Sequence, residues 1–549
     1  MEGFIVYIGI SISGLAFAKV IGVNGKEYYF DSRALKDTRM SDFQTGDFIS
    51  FEIGNGNQII SVKKTVDSSG NGKPEGQEEL LNKIEQWSIE ATNEDEEYFF
   101  SVREMDRIKR GQIVYVIGRK GTGKTAIVNN ILKTKQTNEH ALKLSFKNFP
   151  FNLLYECVDS DYVHPNQYIT IWQLIIYRKL ASLIVKSNDV DKKTAESLKK
   201  CLGSSDVKTN KLIKKIDEFS IGINVLGSGG SLGIKKDSTN IEWTMQLEMF
   251  KEIFKTLSLK GKYYLLFDEL DEDYKDFINE KEQKSYVSML TSLFKAAQYV
   301  KRNVSTKNII PIVFLRSDIY NQLTDADKNK WSEYILELEW DLNKIKEMLA
   351  YRIAKTNDKL CSTDSISFER EFNRIFSIST ISTGNRQRNK MSVFTYIARS
   401  TQWRPRDFIK YIKICAEEAT KRRLQYVSAN IVKSADAKFS DYLKQEIIDE
   451  IFPVLPEIGK ILALLSAIRK QSFNPSVFIE EYNKEVAKGT IKDMGAENVL
   501  GLLFNYNVIG NVPSMKDQYL FKYAYSEARF NLRENIVVHR GLYKALQIF

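Results

Sequence analysis

Eight consecutive residues, Gly118-Arg119-Lys120-Gly121-Thr122-Gly123-Lys124-Thr125, carry the densest chemistry in the chain. Gly118, Gly121 and Gly123 let the backbone wrap closely, so that successive N–H groups can point inward at one anion. Lys124 adds a cation with the reach to meet outer phosphates, and the Thr122 and Thr125 hydroxyls line the same turn, that of Thr125 suiting a hard divalent cation. The order G-x-x-x-x-G-K-T is that of a cradle for a nucleoside triphosphate, so ATP and Mg²⁺ are the expected cofactors. Asp268 and Glu269 form a second set, closing the apolar run Tyr263-Tyr264-Leu265-Leu266-Phe267. Neighbouring carboxylates at a strand's edge can divide the labour, Asp268 holding the metal and Glu269 polarising an attacking water. Asp271, Glu272 and Asp273 continue the acidic run and read as solvated surface.

These groups need particular elements beneath them. Ile113 to Ile117 reads as a strand entering the glycine turn, and Ala126 to Leu132 as the helix leaving it, with its positive end toward the anion. The Tyr263 to Phe267 run is too short for a typical helix and reads as a buried strand. A third strand, Asn308 to Leu315, ends in Arg316-Ser317-Asp318. If it neighbours the other two, Arg316 stands beside the γ-phosphate as a catalytic sensor, the alternative being a structural ion pair. Pro311 is awkward inside a central strand. Gln402-Trp403-Arg404-Pro405-Arg406-Asp407 precedes a helical stretch over 408–419, and the planar forks of Arg404 and Arg406 suit phosphate oxygens or, alternatively, helix-start salt bridges.

Apolar strands alternate with helix-period stretches through this part, which predicts a mainly parallel sheet flanked by helices. The expected fold class is therefore multidomain α/β. Residues 1–66 read as short strands forming a small β-barrel, 67–77 as a flexible linker, and 78–345 as the sheet core. Within the core, about 187–240 reads as a lysine-rich insertion or hairpin containing Gly227-Ser228-Gly229-Gly230-Ser231. Residues 346–450 are expected to form a helical domain. Over 451–549, three helical patterns precede a Tyr/Phe/Val-rich segment with a turn near Met515-Lys516-Asp517, the order of a winged helix.

With 549 residues, 43% hydrophobic and 27% charged, the chain is long enough for about three to five domains and too apolar for global disorder. A net charge of +10 permits polyanionic partners without requiring them. The cysteines 157, 201, 361 and 415 form no CxxC pair, and the three histidines are scattered, which argues against a Cys/His metal site and for a reducing compartment. Gly3 to Ala18 is uncharged and ends in Ala-Phe-Ala, imitating a signal-cleavage site. It lacks a basic start, however, and alternates Ile8, Ile10 and Ile12 with Gly9, Ser11 and Ser13 as a strand does. No other stretch approaches the ~18 to 20 apolar residues of a membrane span, so a cytoplasmic protein without membrane contact is expected.

On the blocks GRKGTGKTA, LLFDELDEDY, FLRSDIY, LELEW, WRPRDFI and VVHRGLYKAL, the chain from about 90 to 549 resembles the P-loop ATPases of the broad AAA+/STAND assemblage, most closely a bacterial branch frequent in phage-defence neighbourhoods. The resemblance implies an ATP-hydrolysing switch with Walker A and Walker B motifs, a helical lid around Arg404-Pro405-Arg406 and a winged-helix end. It implies an anti-phage ATPase acting with nucleic acid or with a protein partner that carries the effector, because no nuclease, protease or TIR-type signature is present. A loader- or initiator-like DNA-binding ATPase and a non-hydrolysing nucleotide-gated scaffold are the alternatives. An arginine acting in trans would require an oligomer.

Residues 1–66 resemble a cold-shock or related OB-type barrel: Gly25 to Leu35 and Thr45 to Glu52 match two of its strands, and Gly14-Leu15-Ala16-Phe17 loosely matches another. Phe17 and Tyr29 are the residues expected to stack on DNA or RNA bases, at ~1 to 3 kcal/mol per base. Leu15 replaces one expected aromatic, and Asp31 brings a negative charge where histidine usually stacks, so a plain barrel that docks protein is the alternative. In the winged-helix region Lys516, Lys522, Arg529, Arg533, Arg540 and Lys544 stand against three carboxylates, an excess that suits the DNA backbone or, alternatively, a solvated surface or an oligomer contact.

Overall fold

A computed structural model of the chain describes residues 2–548 apart from 11–15, 23–25, 36–38, 41–42, 44–47, 55–56, 65–74, 91–97, 102–103, 134–136, 148, 150, 158, 160, 162–164, 204–206, 219, 222–242, 274–279, 358–365, 384–388 and 514–517. The chain divides into two compact units: Met1–Glu90 with Trp340–Asp449 and Glu457–Phe549, and Ala91–Glu339 with Glu450–Pro456. Among the described residues no helix is long and apolar enough to cross a membrane.

The first unit opens with five antiparallel strands, β1 (Glu2–Ile10), β2 (Ala16–Gly22), β3 (Glu27–Asp31), β4 (Phe48–Ile53) and β5 (Ile59–Lys64), in the order β3-β2-β1-β4-β5. Period-2 alternation decides which side chains pack. Tyr28 and Phe30 are buried with Val20, Ile49, Phe51 and Ile59, while Glu27 and Tyr29 between them face outward. The two edges meet where Tyr29 N–H donates to the Asn57 carbonyl at 3.1 Å and Tyr29 bridges Gln58. The Gly14-Leu15 and Thr45-Gly46-Asp47 portions of the expected strands lie outside the described residues.

Most of the expected linker, 67–74, is also outside the described residues, but its end is not extended: a helix spans Glu75–Glu85. Leu80, Leu81, Ile84 and Trp87 are buried. Trp87 Nε1–H donates to Thr356 Oγ1 at 3.0 Å, Lys413 Nζ donates to the Trp87 carbonyl at 2.9 Å, and the Arg352 guanidinium lies 4.8 Å from the Trp87 ring. Residues 78–90, expected to start the sheet core, therefore pack with the helices Leu342–Asn357 and Pro405–Lys421.

The second unit is built on β6 (Tyr115–Gly118), β7 (Glu139–Ser145), β8 (Ser220–Ile221), β9 (Lys262–Asp268), β10 (Ile309–Arg316) and β11 (Ile335–Glu337), in the order β11-β6-β10-β9-β7-β8. All pairings are parallel except that of β8. Helices cover both faces, which is why the central strands read as unbroken apolar runs. Tyr115, Leu265, Phe267 and Val313 pack beneath the helices Ile169–Ser187, Trp243–Lys255 and Glu280–Asn303; the alternate residues Val116, Tyr264, Leu266 and Ile312 pack toward the helix Lys124–Lys133. Pro311 does sit inside β10, opposite Leu265.

Gly227 to Ser231 lie outside the described residues, but the earlier half of the expected insertion is part of the core. It forms the helices Lys192–Gly203 and Val207–Glu218, with Leu198, Cys201, Leu202, Leu212 and Ile216 buried, and Gln246 Nε2–H donates to the Cys201 carbonyl at 2.7 Å.

The first unit resumes with a hairpin, β12 (Thr380–Thr383) and β13 (Asn389–Ser392), among the helices of 342–451. Three helices follow, Ile458–Ile468, Pro475–Ala487 and Ala496–Asn505. A small sheet of β14 (Ser472–Phe473), β15 (Ile509–Val512) and β16 (Asn535–Val538) completes it, ordered β14-β16-β15. The expected turn at Met515-Lys516-Asp517 is outside the described residues.

His539, just past β16, is buried, and burial pushes its imidazole down to about 4. Its neutral ring is satisfied, Nδ1 accepting from the Gly541 N–H at 3.1 Å and Nε2 lying 3.2 Å from the Thr401 carbonyl. The unfolded chain takes up this proton near the usual histidine value of about 6.5, whereas the folded chain resists it until about 4. Protonation in that window favours unfolding, so stability falls as pH drops through it. A loss of about 3 kcal/mol between pH 7 and pH 4 is expected from this group. It is read as the difference between the urea midpoints of wild type and His539→Gln across that range. Parallel pH profiles for the two proteins would refute it.

Candidate active site

β6 delivers the chain into the glycine turn as a fixed point: Tyr115 Oη–H donates to the Phe294 carbonyl at 2.8 Å, and the two rings stack at 4.4 Å. Gly118 has no room for a side chain, since a Cβ there would stand 2.5 Å from Thr122 Oγ1 and 3.0 Å from Leu338 Cβ. Gly121 and Gly123 have φ of 83° and 98°, a region that L side chains avoid. The helix Lys124–Lys133 then begins at the lysine itself. Lys124 Nζ folds back over the turn, donating to the carbonyls of Gly118 at 2.8 Å and Arg119 at 3.0 Å, and Thr122 Oγ1–H caps the Arg119 carbonyl at 2.8 Å. Burial pushes the Lys124 ammonium down; Asp271, Asp268 and Asp318 oppose this, and Arg316 adds to it. The turn's cation is thus within electrostatic reach of the acidic strand end.

Strand register brings these groups to one edge of the sheet. Gly118 pairs with Arg316, Val313 with both Tyr115 and Phe267, and Ser145 with Asp268. β10 therefore lies between the glycine-turn strand and the acidic strand, and all of them end at the carboxyl edge, where ligands of open α/β sheets bind. Asp268 is 3% exposed, and burial raises its carboxyl above the ordinary range against the pull of Lys143. Lys143 Nζ lies 3.1 Å from Asp268 Oδ2 and 3.3 Å from Glu269 Oε2. Ser145 Oγ–H also donates to Glu269 Oε2. Glu269 itself has φ of 60°, an uncommon conformation for a side-chain-bearing residue and one that tends to occur at functional turns.

Among the described residues no group of three or more His, Cys, Asp or Glu gathers to hold a metal by protein ligands alone. A threonine hydroxyl and an aspartate carboxylate, such as those of Thr125 and Asp268, are hard oxygen donors of the kind Mg²⁺ takes alongside phosphates and water. The donor chemistry fits that ion.

The expected arginines are placed less uniformly. Arg316 stands beside Gly118, but its fork is engaged by Asp318, Nε to Oδ1 at 3.0 Å and Nη2 to Oδ2 at 2.7 Å, with Asp271 at 3.6 Å from Nη1. Arg404 and Arg406 belong to the first unit. Arg404 is 1% exposed, its Nε 3.1 Å from each Asp407 carboxylate oxygen and its Nη2 3.0 Å from Oδ1; Arg406 Nη1 pairs with Glu446 at 3.2 Å. Both guanidinium groups thus form ion pairs at and near a helix start. Phe17 and Tyr29 line one cavity of about 320 Å³ with Asp31, Asn57 and Gln58, and Tyr29 is 41% exposed. The Asp31 charge is bound by Arg33, with Nη2 at 2.5 Å.

Residues 343–448 match the family described as FunZ-associated C-terminal helical domain. No curated protein matches the chain closely enough to count as a relative. Among solved structures, the chain is similar to Drosophila ORC bound to DNA at 12% identity and a TM-score of 0.30, covering 88% of this chain and 96% of that one. It is similar to the Aeropyrum pernix ORC1 protein in complex with DNA at 11% identity and a TM-score of 0.35, over 85% and 96%. The Aeropyrum pernix ORC2 protein, in ADPNP-ADP complexes, gives 12% identity and a TM-score of 0.36 over 81% and 89%. All three TM-scores lie below 0.5, so the crevice itself carries the functional reading.

Two residues of that crevice, Lys143 and Ser145, escape the motifs. Their signal was the sequence Ala141-Leu142-Lys143-Leu144-Ser145: a charge inside an apolar strand buried on both faces demands a counter-charge, because an isolated buried ammonium is strongly disfavoured.

Proposed function

We propose that the chain binds ATP with Mg²⁺ and hydrolyses it, and that the cycle serves as a switch acting on nucleic acid. The supporting observation is the register that aligns Gly118, Arg316 and, through β10, the Asp268-Glu269 pair along one sheet edge. In this reading Gly118, Gly121, Thr122 and Gly123 cradle the phosphates. Lys124 exchanges the Gly118 and Arg119 carbonyls for the β- and γ-phosphates, a change of partners that costs little because both sets are oxygens. Thr125 and Asp268 hold the cation, which when bound offsets phosphate charge. Glu269 takes the proton of the attacking water. Arg316, held by Asp318, orients the edge beside the γ-phosphate.

For the biological setting, we rank a loader- or initiator-like DNA-binding ATPase ahead of anti-phage defence. The first needs only a nucleotide switch and a surface for nucleic acid, and the Phe17–Tyr29 cavity supports such a surface, in line with an OB-type reading of β1 to β5. The winged-helix reading of the last three helices and β14 to β16 supports it as well. The defence role requires in addition an effector partner, to which no described residue speaks. Assembly with further copies belongs to the same proposal.

One observation favours a second reading. Lys143 and Ser145 both hold the Glu269 carboxylate, as a nucleotide-gated scaffold with negligible turnover would require. Phosphate release by the full-length chain with Mg²⁺ and ATP, with and without single- or double-stranded DNA at two salt concentrations, separates the readings. Turnover raised by DNA is expected. ATP binding without turnover leaves the scaffold, and absence of ATP binding removes both.

A further inference from the structure

A cavity of about 690 Å³ in the first unit, within the range of small-molecule sites, combines cations and exposed rings in a way the ATP crevice does not use. Arg399, on its wall, is exposed; its Nη1 donates to Met391 Sδ at 3.4 Å, a weak acceptor, and among the described residues it makes no ion pair. Arg540 lines the same cavity, with Nη1 2.7 Å from Ser400 Oγ and its guanidinium 4.6 Å from the Tyr396 ring centroid. Although the Arg399 side chain reaches solvent, partial burial of its guanidinium and then the Arg540 charge push it down.

Among the described lining residues Asp436 is the one carboxylate, and its ion pair is with Arg540, not Arg399. It is 3.7 Å from Arg540 and already accepts from the Tyr396 and Tyr411 hydroxyls at 2.5 and 2.6 Å. Lys544, also exposed and on the wall, adds a third cation. Against this charge stand two tyrosines whose rings are open to a ligand, Tyr519 at 54% and Tyr525 at 43% exposure. The ring of Tyr523, also on the wall, packs against Trp403 at 5.3 Å and Phe521 at 5.4 Å.

A guanidinium without a carboxylate partner, as at Arg399, recruits phosphate oxygens, and exposed tyrosine faces recruit flat rings. We propose that this cavity binds a nucleobase carrying a phosphate, either a free nucleotide or one unit of a single strand. Arg399 takes the phosphate and Tyr519 the base.

The test uses the full-length chain in a Tyr29→Ala background, so that the N-terminal aromatic surface does not mask the result. The probes are AMP and a labelled ten-nucleotide dT strand. Neither carries a triphosphate, so the outcome is independent of whether the Gly118 crevice hydrolyses ATP. Arg399→Ala and Tyr519→Ala, both at exposed side chains, are each expected to weaken binding about tenfold or more, with Tyr519→Phe restoring it. Binding of AMP identifies a free nucleotide as the source, and binding of the strand alone identifies single-stranded nucleic acid. Failure of both probes to bind, or equal affinities in the wild-type cavity and both alanine variants, would overturn the proposal.

Discussion

Glu269→Gln is expected to lower ATP turnover by a factor of about 10² to 10⁴, the usual contribution of a positioned general base, while leaving ATP affinity within about twofold of wild type. The substitution keeps the shape of the side chain and removes its charge and with it its ability to accept a proton. The Ser145 hydroxyl can still donate to the remaining amide oxygen, and Lys143 keeps its partner Asp268 at 3.1 Å. The left-handed backbone at 269 is no harder for glutamine than for glutamate, so the turn should survive. Steady-state phosphate release, measured beside calorimetric ATP titration, reads the two quantities separately. Wild-type turnover in the variant would remove Glu269 from the chemistry. A variant and a wild type that both bind ATP and both release phosphate at background rate would leave the scaffold reading standing and the hydrolase reading refuted.

The parts of this site that were legible in the sequence are those whose geometry is local. A glycine turn between an apolar strand and a helix dictates its own backbone, and Gly121 and Gly123 adopt the positive φ that their type permits. The Asp268-Glu269 pair was legible because an apolar run ending in two acids can place them only at a strand's edge. What the sequence could not supply was register. That Lys143 meets Asp268 follows from Ser145 standing opposite Asp268 in a neighbouring strand, more than a hundred residues away in the chain. Arg404 shows the converse: the partner that occupies it, Asp407, was three residues downstream and in view, and the same spacing that suggested a phosphate fork makes a buried pair. At the domain level, polar residues concealed apolar periodicity. Leu198, Cys201 and Leu202, then Leu212, Ile213 and Ile216, recur at helical spacing among lysines, and Leu80, Leu81, Ile84 and Trp87 do so just beyond a glycine-rich stretch. In each case the solvated face dominated the composition while the thinner apolar face decided the packing.

Lys124→Met should separate binding from chemistry in the opposite sense to Glu269→Gln. It preserves the alkyl stem and deletes the ammonium that the turn already holds among oxygens, 2.8 Å from the Gly118 carbonyl and 3.0 Å from that of Arg119. Hydrogen bonds to charged groups contribute about 1.5–3 kcal/mol each, so losing one to phosphate predicts an ATP affinity lowered roughly ten- to a hundredfold, losing two lowers it further, and turnover is expected below detection. The fold should tolerate the change. Gly118 is fixed by β6 and by its fit against Leu338, and the Arg119 carbonyl keeps the Thr122 hydroxyl. Thermal melting checks both halves at once: without nucleotide the variant should melt near wild type, and the upward shift that saturating ATP gives wild type, set by RT ln(1 + [L]/Kd), should largely vanish. If Lys124→Met kept that shift, the triphosphate would be bound somewhere other than the glycine turn, and Glu269 would have no γ-phosphate before it.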